Sequence, residues 1–248
     1  MKVNVFSARC ITNLHVGNGD VNYSIVDQEV EKDPVTGLPM INSSGVKGAL
    51  REFFESKWGK DNEKIGQIFG TGKDDTAQGN YKFLQADMLF RPLRVTDDSD
   101  RSFMLATTKE IVDVFAEKVK GLGGNIEGID AFQDCGQKII VEDLDKAIPI
   151  KKANGKWSEI VIDTVVIVEN MKDYDLPVIA RNCLDDSGIS QNLWYEEFVP
   201  HESIFGFVIL TPDEMDEKFK KTLTSEPVQF GANASIGYGL MDITEVKV

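Results

Sequence analysis

The chain opens on a strand-like alternation of apolar and polar positions from Val3 to Thr12, the period-two pattern of a half-buried β-strand. Residues 13–43 follow with no regular period, a stretch long enough to suggest a functional loop. From Ser44 to Trp58 the period changes: Val46, Ala49, Leu50, Phe53, Phe54 and Trp58 recur at helical spacing. Ser43 or Ser44 can cap that helix. Asn62 to Phe69 predicts a short second helix, and Thr71 to Asn80 a mobile loop. Lys82 to Val95 reads as one long strand. Thr108 to Val119 reads as a helix closed by Gly121, Gly123 and Gly124. The 121–160 stretch looks like an insertion. Strands are expected at Ile160 to Glu169 and Pro177 to Arg181, then a turn at Asp185 to Gly188 between two extended runs. Tyr195 to Leu210 is strand-like. Pro212 to Leu223 predicts a helix with Asp213, Glu214 and Asp216 in its first turn, where the dipole favours them. Leu240 to Val248 forms the last strand. The succession is that of an α+β protein.

Two loops stand out within this pattern. The first runs from Leu14 to the helix at Ser44 and carries His15, Gly17, Gly19 and Asp27. It ends at a helix N-terminus, where free N–H groups and the positive dipole end favour anions. Lys47 and Arg51, four residues apart, share a face there. The second is Gly231, Ala232, Asn233, Ala234, Ser235, Ile236, Gly237, Tyr238 and Gly239. Its small side chains let backbone approach a ligand, and its successive N–H groups can form an anion-binding nest. It is neither a Walker loop nor GxGxxG, so it implies no nucleotide cofactor.

Charge qualifies the idea of a phosphate-backbone ligand. The 248 residues are 42% hydrophobic and carry a net charge of −14. Residues 1–94 are neutral, with 12 Lys/Arg against 12 Asp/Glu, whereas 95–248 hold 15 against 29 and so the whole excess. The segment 44–94 has 9 basic and 7 acidic residues. A locally positive groove on an acidic body fits this distribution, and the body would limit non-specific binding of polyanions. Cys10, Cys135 and Cys183 have no CxxC spacing, which suits a reducing cytoplasm and gives neither a disulfide framework nor a zinc site. No signal-peptide core and no apolar run of membrane-spanning length is present, so a cytoplasmic protein without a membrane partner is expected.

Taken together and in order, these pieces resemble a RAMP-superfamily backbone subunit of a type III CRISPR effector complex, most like the repeated, target-cleaving subunit of the III-B (Cmr) type. His15 with Gly17 and Gly19 matches the opening loop, and Val26-Asp27 the acidic position. Thr36 to Pro39 and Ser44 to Arg51 match the loop-to-helix signature. Phe90 to Arg94 resembles the central strand, and Leu193 to Glu197 a late segment typical of the III-B subunit. The terminal glycine-rich loop also matches. The chain departs from the family pattern at Glu29, Lys32, Ile41-Asn42 and Ala232.

The resemblance implies a ferredoxin-like (RRM-like) palm, a single domain over 1–248 with insertions at 13–43, 121–160 and 170–198, and a thumb-like β-hairpin around Asp185 to Gly188. It implies cleavage of target RNA paired to the guide, through Asp27 and a divalent cation such as Mg²⁺, with His15 orienting the phosphate or moving a proton. Guide contacts are expected from Ser43, Ser44, Lys47 and Arg51, and from Gly231, Ala232, Asn233, Ala234, Ser235 and Gly237. The expected partners are guide RNA, complementary target RNA, other copies of the chain and other type III subunits. On residue type alone, Asp27 reads as a solvated loop carboxylate and His15 equally as a packing histidine. His201 reads as structural, Glu196 and Glu197 as a solvated strand face, and Asp20, Glu29, Glu31 and Asp33 as exposed. A non-cleaving guide-binding subunit, a free-standing guide-processing endoribonuclease and an acidic metabolic enzyme stay open as alternatives.

Overall fold

The computed structural model describes residues 1–19, 25–71, 77–97, 100–142, 146–161 and 164–248. In chain order the strands are β1 (Lys2–Cys10), β2 (Met40–Ile41), β3 (Lys82–Phe83), β4 (Ala86–Arg94), β5 (Phe103–Thr107), β6 (Phe132–Ile139), β7 (Ile148–Ala153), β8 (Thr164–Ile167), β9 (Val178–Leu184), β10 (Ser190–Glu197), β11 (Ile204–Thr211), β12 (Val228–Gln229) and β13 (Leu240–Val246). The helices are α1 (Ser43–Trp58), α2 (Glu63–Phe69), α3 (Lys109–Gly121), α4 (Trp157–Ile160) and α5 (Glu217–Leu223). Among the described residues no helix is long and apolar enough to cross a membrane.

One eleven-stranded sheet carries most of these strands, in the order β12-β13-β1-β11-β4-β5-β8-β7-β6, with β2 added to β4 and β3 to β11. At its centre β1 is antiparallel to β11, with Phe6 opposite Phe207 and Ser7 opposite Gly206. On its other side it is antiparallel to β13, with Ser7 opposite Thr244. In the chain α1 lies between β1 and β4, and α5 between β11 and β13. The pleat sorts the core. Phe6, Ala8 and Cys10 join the cluster that includes Val46, Leu50, Phe54 and Phe219. Val5 faces the other way, into a cluster with Val112, Phe115 and Trp157. Phe54 stacks on Phe219 at 4.2 Å between ring centroids, and Phe69 on Phe83 at 5.0 Å. Gly206 lets the second face close: a Cβ there would meet Leu89 Cδ1 at 2.5 Å and Phe115 Cζ at 2.7 Å.

Several sequence expectations need correction. The N-cap of α1 is Asn42, whose side chain accepts from Ser44 N; the amide outcompetes both serines because it reaches the second free N–H. The expected strand 82–95 is broken, with Leu84 and Gln85 between β3 and β4 and Leu84 N bonded to Val208 O. The run 195–210 is also two strands, parted at 198–203, where Pro200 opens a turn. The first part of 160–169 closes α4 before β8 begins. Asp213 and Glu214 precede α5; its cap is Asp216, which accepts from Phe219 N, and Glu217 is the acidic residue of its first turn. Part of the Thr71 to Asn80 loop lies outside the described residues. The 121–160 segment carries β6, β7 and α4 and widens the main sheet, while β9 and β10 form a separate two-stranded sheet.

Phe54, fully buried between α1 and α5, ties two helices to one face. Truncating it to Ala is expected to cost about 3–5 kcal/mol, read as a lower urea midpoint with an unchanged slope.

Candidate functional site

The root of the β9–β10 hairpin gathers the two loops singled out in the sequence. The backbone at Asp27 and Gln28 lies along β10: both N–H groups donate to Tyr195 O, at 3.0 and 3.1 Å, and Glu197 N donates to Gln28 O at 2.9 Å. The Asp27 side chain is exposed, and its Oδ2 accepts from Tyr195 N at 2.8 Å. Its Oδ1 has no hydrogen-bond partner among the described residues. A loop carboxylate is therefore fixed in position with one oxygen facing solvent.

Behind it the acidic pair of β10 is buried, contrary to the solvated face expected. Glu196 is 1% exposed. It accepts from Arg181 Nε and Nη2 at 3.1 and 3.0 Å and from Asn233 Nδ2 at 2.8 Å. Glu197 accepts from Val30 N at 3.0 Å and Lys32 Nζ at 3.1 Å. The two adjacent carboxylates thus point to opposite sides of the strand, one toward the glycine-rich loop and one toward the 27–32 segment. The bond to Glu196 raises the Arg181 pKa above its ordinary value. The Arg181 guanidinium also lies over the Tyr238 ring, 5.0 Å from its centroid. No binding or structural role was read for Arg181, Tyr238 or Lys32 in the sequence, since each acts here through partners far along the chain.

His15 sits at the centre of the junction and is 4% exposed. Its Nδ1 lies 2.7 Å from Glu197 O, and its own carbonyl accepts from Ala232 N at 2.8 Å. A Cβ on Gly231, which has φ of 71°, would lie 2.4 Å from His15 O. The histidine therefore clamps the opening loop, the hairpin and the glycine-rich loop together. Buried here, it holds these three segments in register.

The glycine-rich loop is less of a nest than its composition suggested. The N–H groups of Ala232, Ile236, Gly237, Tyr238 and Gly239 all donate to carbonyls, four of them within the chain's own turns and crossings at Asn233, Ala234 and Asn13. What the loop presents is a single 3₁₀ turn, Ala234–Ile236, between left-handed Asn233 and Gly237, with Ala234, Ser235 and Gly237 exposed. At the start of α1, Ser44 and Lys47 are exposed and Ser43 half-buried. Arg51 is committed elsewhere, with Nε on Glu55 Oε1 at 2.7 Å and Nη1 on Gly70 O at 3.2 Å.

The remaining candidates divide by partner. Asp33 is half-buried and closes a turn. Partial burial opposes ionisation, but hydrogen bonds from Thr36 N, Gln85 and Val35 N outweigh it and hold the pKa below the ordinary value. Glu29 and Glu31 are half-buried too, and Glu31 accepts from Asn42 Nδ2 at 3.4 Å; the expectation that all three are exposed is corrected. Asp20 lies outside the described residues. His201 is exposed in the turn before β11, where its N–H bonds Asn13 Oδ1. Among the described residues no three His, Cys, Asp or Glu side chains converge as a metal cage.

Residues 7–242 match the sequence model of the RAMP superfamily. This chain belongs to the RAMP superfamily. Over 287 aligned residues it is 24% identical to the CRISPR system Cmr endoribonuclease Cmr4 of Pyrococcus furiosus, covering 100% of this chain and 97% of that protein. It is 33% identical over 98 residues to the CRISPR system Cms endoribonuclease Csm3 of Streptococcus thermophilus, covering 35% of this chain and 42% of the relative. Its fold is shared with a chain of the type III-B Cmr-beta complex bound to cognate target RNA, with a TM-score of 0.80, 20% identity and coverage of 99% and 98%. Oligomeric Cmr4 from Pyrococcus furiosus gives a TM-score of 0.66 at 19% identity, covering 100% and 99%. The resemblance to Cmr-type backbone subunits read from the motifs agrees with these matches.

Within this RAMP chain the Glu196 carboxylate is the part whose loss leaves the half-buried Arg181 and Asn233 Nδ2 without their partner. Glu196→Ala is expected to lower stability by about 1–3 kcal/mol and to free the glycine-rich loop. Denaturant unfolding and hydrogen exchange at residues 231–239 would register both effects.

Proposed function

We propose that this chain is a CRISPR RNA-binding backbone subunit of a type III effector complex and that it cleaves target RNA complementary to the guide. The observation that carries the reading is Asp27. It is an exposed carboxylate anchored on Tyr195 N at the hairpin root, in a RAMP chain aligned end to end with a Cmr endoribonuclease. The order β13-β1-β11-β4, with α1 and α5 as the two crossover helices, supports a ferredoxin-like palm. On this reading the β9–β10 hairpin is the thumb, and 13–43, 121–160 and 170–198 are insertions into a single domain.

The guide backbone lies against the N-terminal turn of α1, at Ser43, Ser44 and Lys47, and against the exposed 3₁₀ turn at Ala234 and Ser235. Such contacts position RNA without reading its sequence. Further copies of the chain continue head to tail along the guide, because heterologous contacts that do not close generate a filament. Other type III subunits complete the assembly. Target RNA pairs with the guide over the hairpin root.

Cleavage there requires a 2′-hydroxyl to attack the adjacent phosphorus: the O2′–P bond forms as the hydroxyl proton leaves, and the P–O5′ bond breaks as O5′ takes a proton from water, leaving a 2′,3′-cyclic phosphate and a 5′-hydroxyl. Asp27 Oδ1 is the group placed to take that proton. A divalent cation such as Mg²⁺, when bound, neutralises charge on the phosphoryl oxygens. One carboxylate is a fitting share of such a site, because Mg²⁺ keeps waters and uses substrate phosphate for the rest. Asp27 is the residue that would hold it. His15 and Glu197 keep Asp27 in register with the hairpin.

Asp27→Asn, assembled with guide RNA, is expected to cut labelled target about two to three orders of magnitude more slowly while binding guide normally. Wild-type cutting by the variant would assign the chemistry to another group, and cutting that persists in chelator would remove the cation from the mechanism. Ala234 is exposed, so Ala234→Trp should weaken guide binding while leaving the melting temperature in place. Normal binding by that variant would make the loop a connector only. Lys47→Ala should lower affinity equally for unrelated guides and reduce the salt slope by about one.

A further inference from the structure

A groove of about 460 Å³ lies beside α3, lined by that helix, the turn 33–37, the start of β4 and residues 169–172. Its floor is apolar. Met40, Met88, Phe115 and Met171 line it, each at 8% exposure or less. Two large apolar side chains stand at its rim in solvent, Val35 at 88% and Val114 at 48% exposure. Val35 is held there by a built turn: Asp33 Oδ1 accepts from Val35 N at 2.9 Å and from Thr36 N at 2.8 Å. Gly37, at φ of 68°, rests on the Lys172 stem, where a Cβ would lie 3.2 Å from Lys172 Cε. An apolar floor that runs onto exposed apolar lips marks a protein contact surface. Three of the chain's seven methionines lie in that floor, and methionine refits itself to a partner's side chain.

Charge says what kind of partner fits. Asp33, Asp87, Glu110 and Glu169 line the groove against Lys118 and Lys172, so four carboxylates meet two ammonium groups and leave the lining at −2. Lys118 is ion-paired with Asp87. Asp33, Glu110 and Glu169 have no ion pair among the described residues. Such a rim repels phosphate, so the groove is no second RNA surface. It also repels the tip of this chain's own β9–β10 hairpin, where the exposed Leu184 and Ile189 flank Asp185 and Asp186. A second copy therefore has the wrong charge beside its projecting apolar pair, and a partner with basic residues around an apolar anchor has the right one.

We infer that the groove seats an apolar side chain of a different, basic protein subunit, whose flanking lysines or arginines face Asp33, Glu110 and Glu169. The anchor fills the methionine-lined floor and supplies affinity, while the charges steer the encounter and fix the register. The inference rests on the reading of this chain as one member of an assembly, and it adds to that reading a place and a chemistry for one partner.

The test uses the full chain, isotope-labelled at its methionine methyls, and two short helical peptides with the same leucine face, one bearing lysines around it and the other glutamates. The lysine peptide should shift the Met40, Met88 and Met171 signals and leave in place those of Met215 and Met241, which do not line the groove. The glutamate peptide should bind about tenfold more weakly or worse. Val114→Asp, at an exposed position, should weaken the lysine peptide roughly tenfold. Glu110→Lys with Glu169→Lys, both exposed, should reverse the preference between the peptides. Silence at the three methionines, or equal binding of both peptides, would overturn the inference. The same three signals moving as the chain alone is concentrated would make the occupant a second copy, and their moving with guide RNA would make the groove a nucleic-acid surface; either result overturns it. Guide binding by the same samples separates the two readings: it persists where only the groove fails, and its absence in the wild-type chain would overturn the proposed function instead.

Discussion

Everything at the hairpin root hangs on two neighbouring carboxylates that face opposite ways. Glu196 holds Arg181 and Asn233 on one side, and Glu197 holds Val30 N and Lys32 on the other. Three segments far apart in the chain are joined through this single stretch of strand. A buried carboxylate is costly unless its acceptors are filled. Each of these is filled, so the root has one arrangement with all its donors matched. That is why an exposed loop residue, Asp27, can be held in place by backbone bonds to Tyr195 alone.

The packing beneath serves the same end. Alternation along β1 sends Phe6, Ala8 and Cys10 toward α1 and α5 and Val5 toward α3. The helices α1 and α5 therefore lie on one face, stacked through Phe54 and Phe219. With both helices fixed, the loop before α1 and the loop before β13 are brought to the same end of the sheet, where His15 O meets Ala232 N. The catalytic chemistry proposed for Asp27 needs orientation more than reactivity, and orientation is what this packing supplies.

The acidic balance of the chain also reads differently in three dimensions. A net charge of −14 would repel RNA if it were spread evenly. Instead Lys47 is placed exposed in the first turns of α1, close to the free N–H groups of a helix N-terminus. Local field and geometry decide contact with a phosphate backbone, while net charge governs solubility and non-specific association.

The helical face of α1, the helices starting at Asn62 and Thr108 and the hairpin turn at Asp185 were legible in the chain because each depends on residues close in sequence. The motif pieces from His15 to Gly239 were legible for the same reason. Strand breaks were not: the gap at Leu84 and Gln85 exists because Leu84 bonds Val208, 124 positions away. Nor could periodicity show that Glu196 and Glu197 are buried, since an acidic pair in a strand is ordinarily solvated. Their burial follows from partners at Arg181, Asn233, Val30 and Lys32, supplied by three separate segments. The same holds for Arg51, drawn to Glu55 and Gly70, and for His15, enclosed by Glu197 and Gly231. Local chemistry set which residues could act; long-range hydrogen bonding and burial decided which of them face solvent and which hold the others in place.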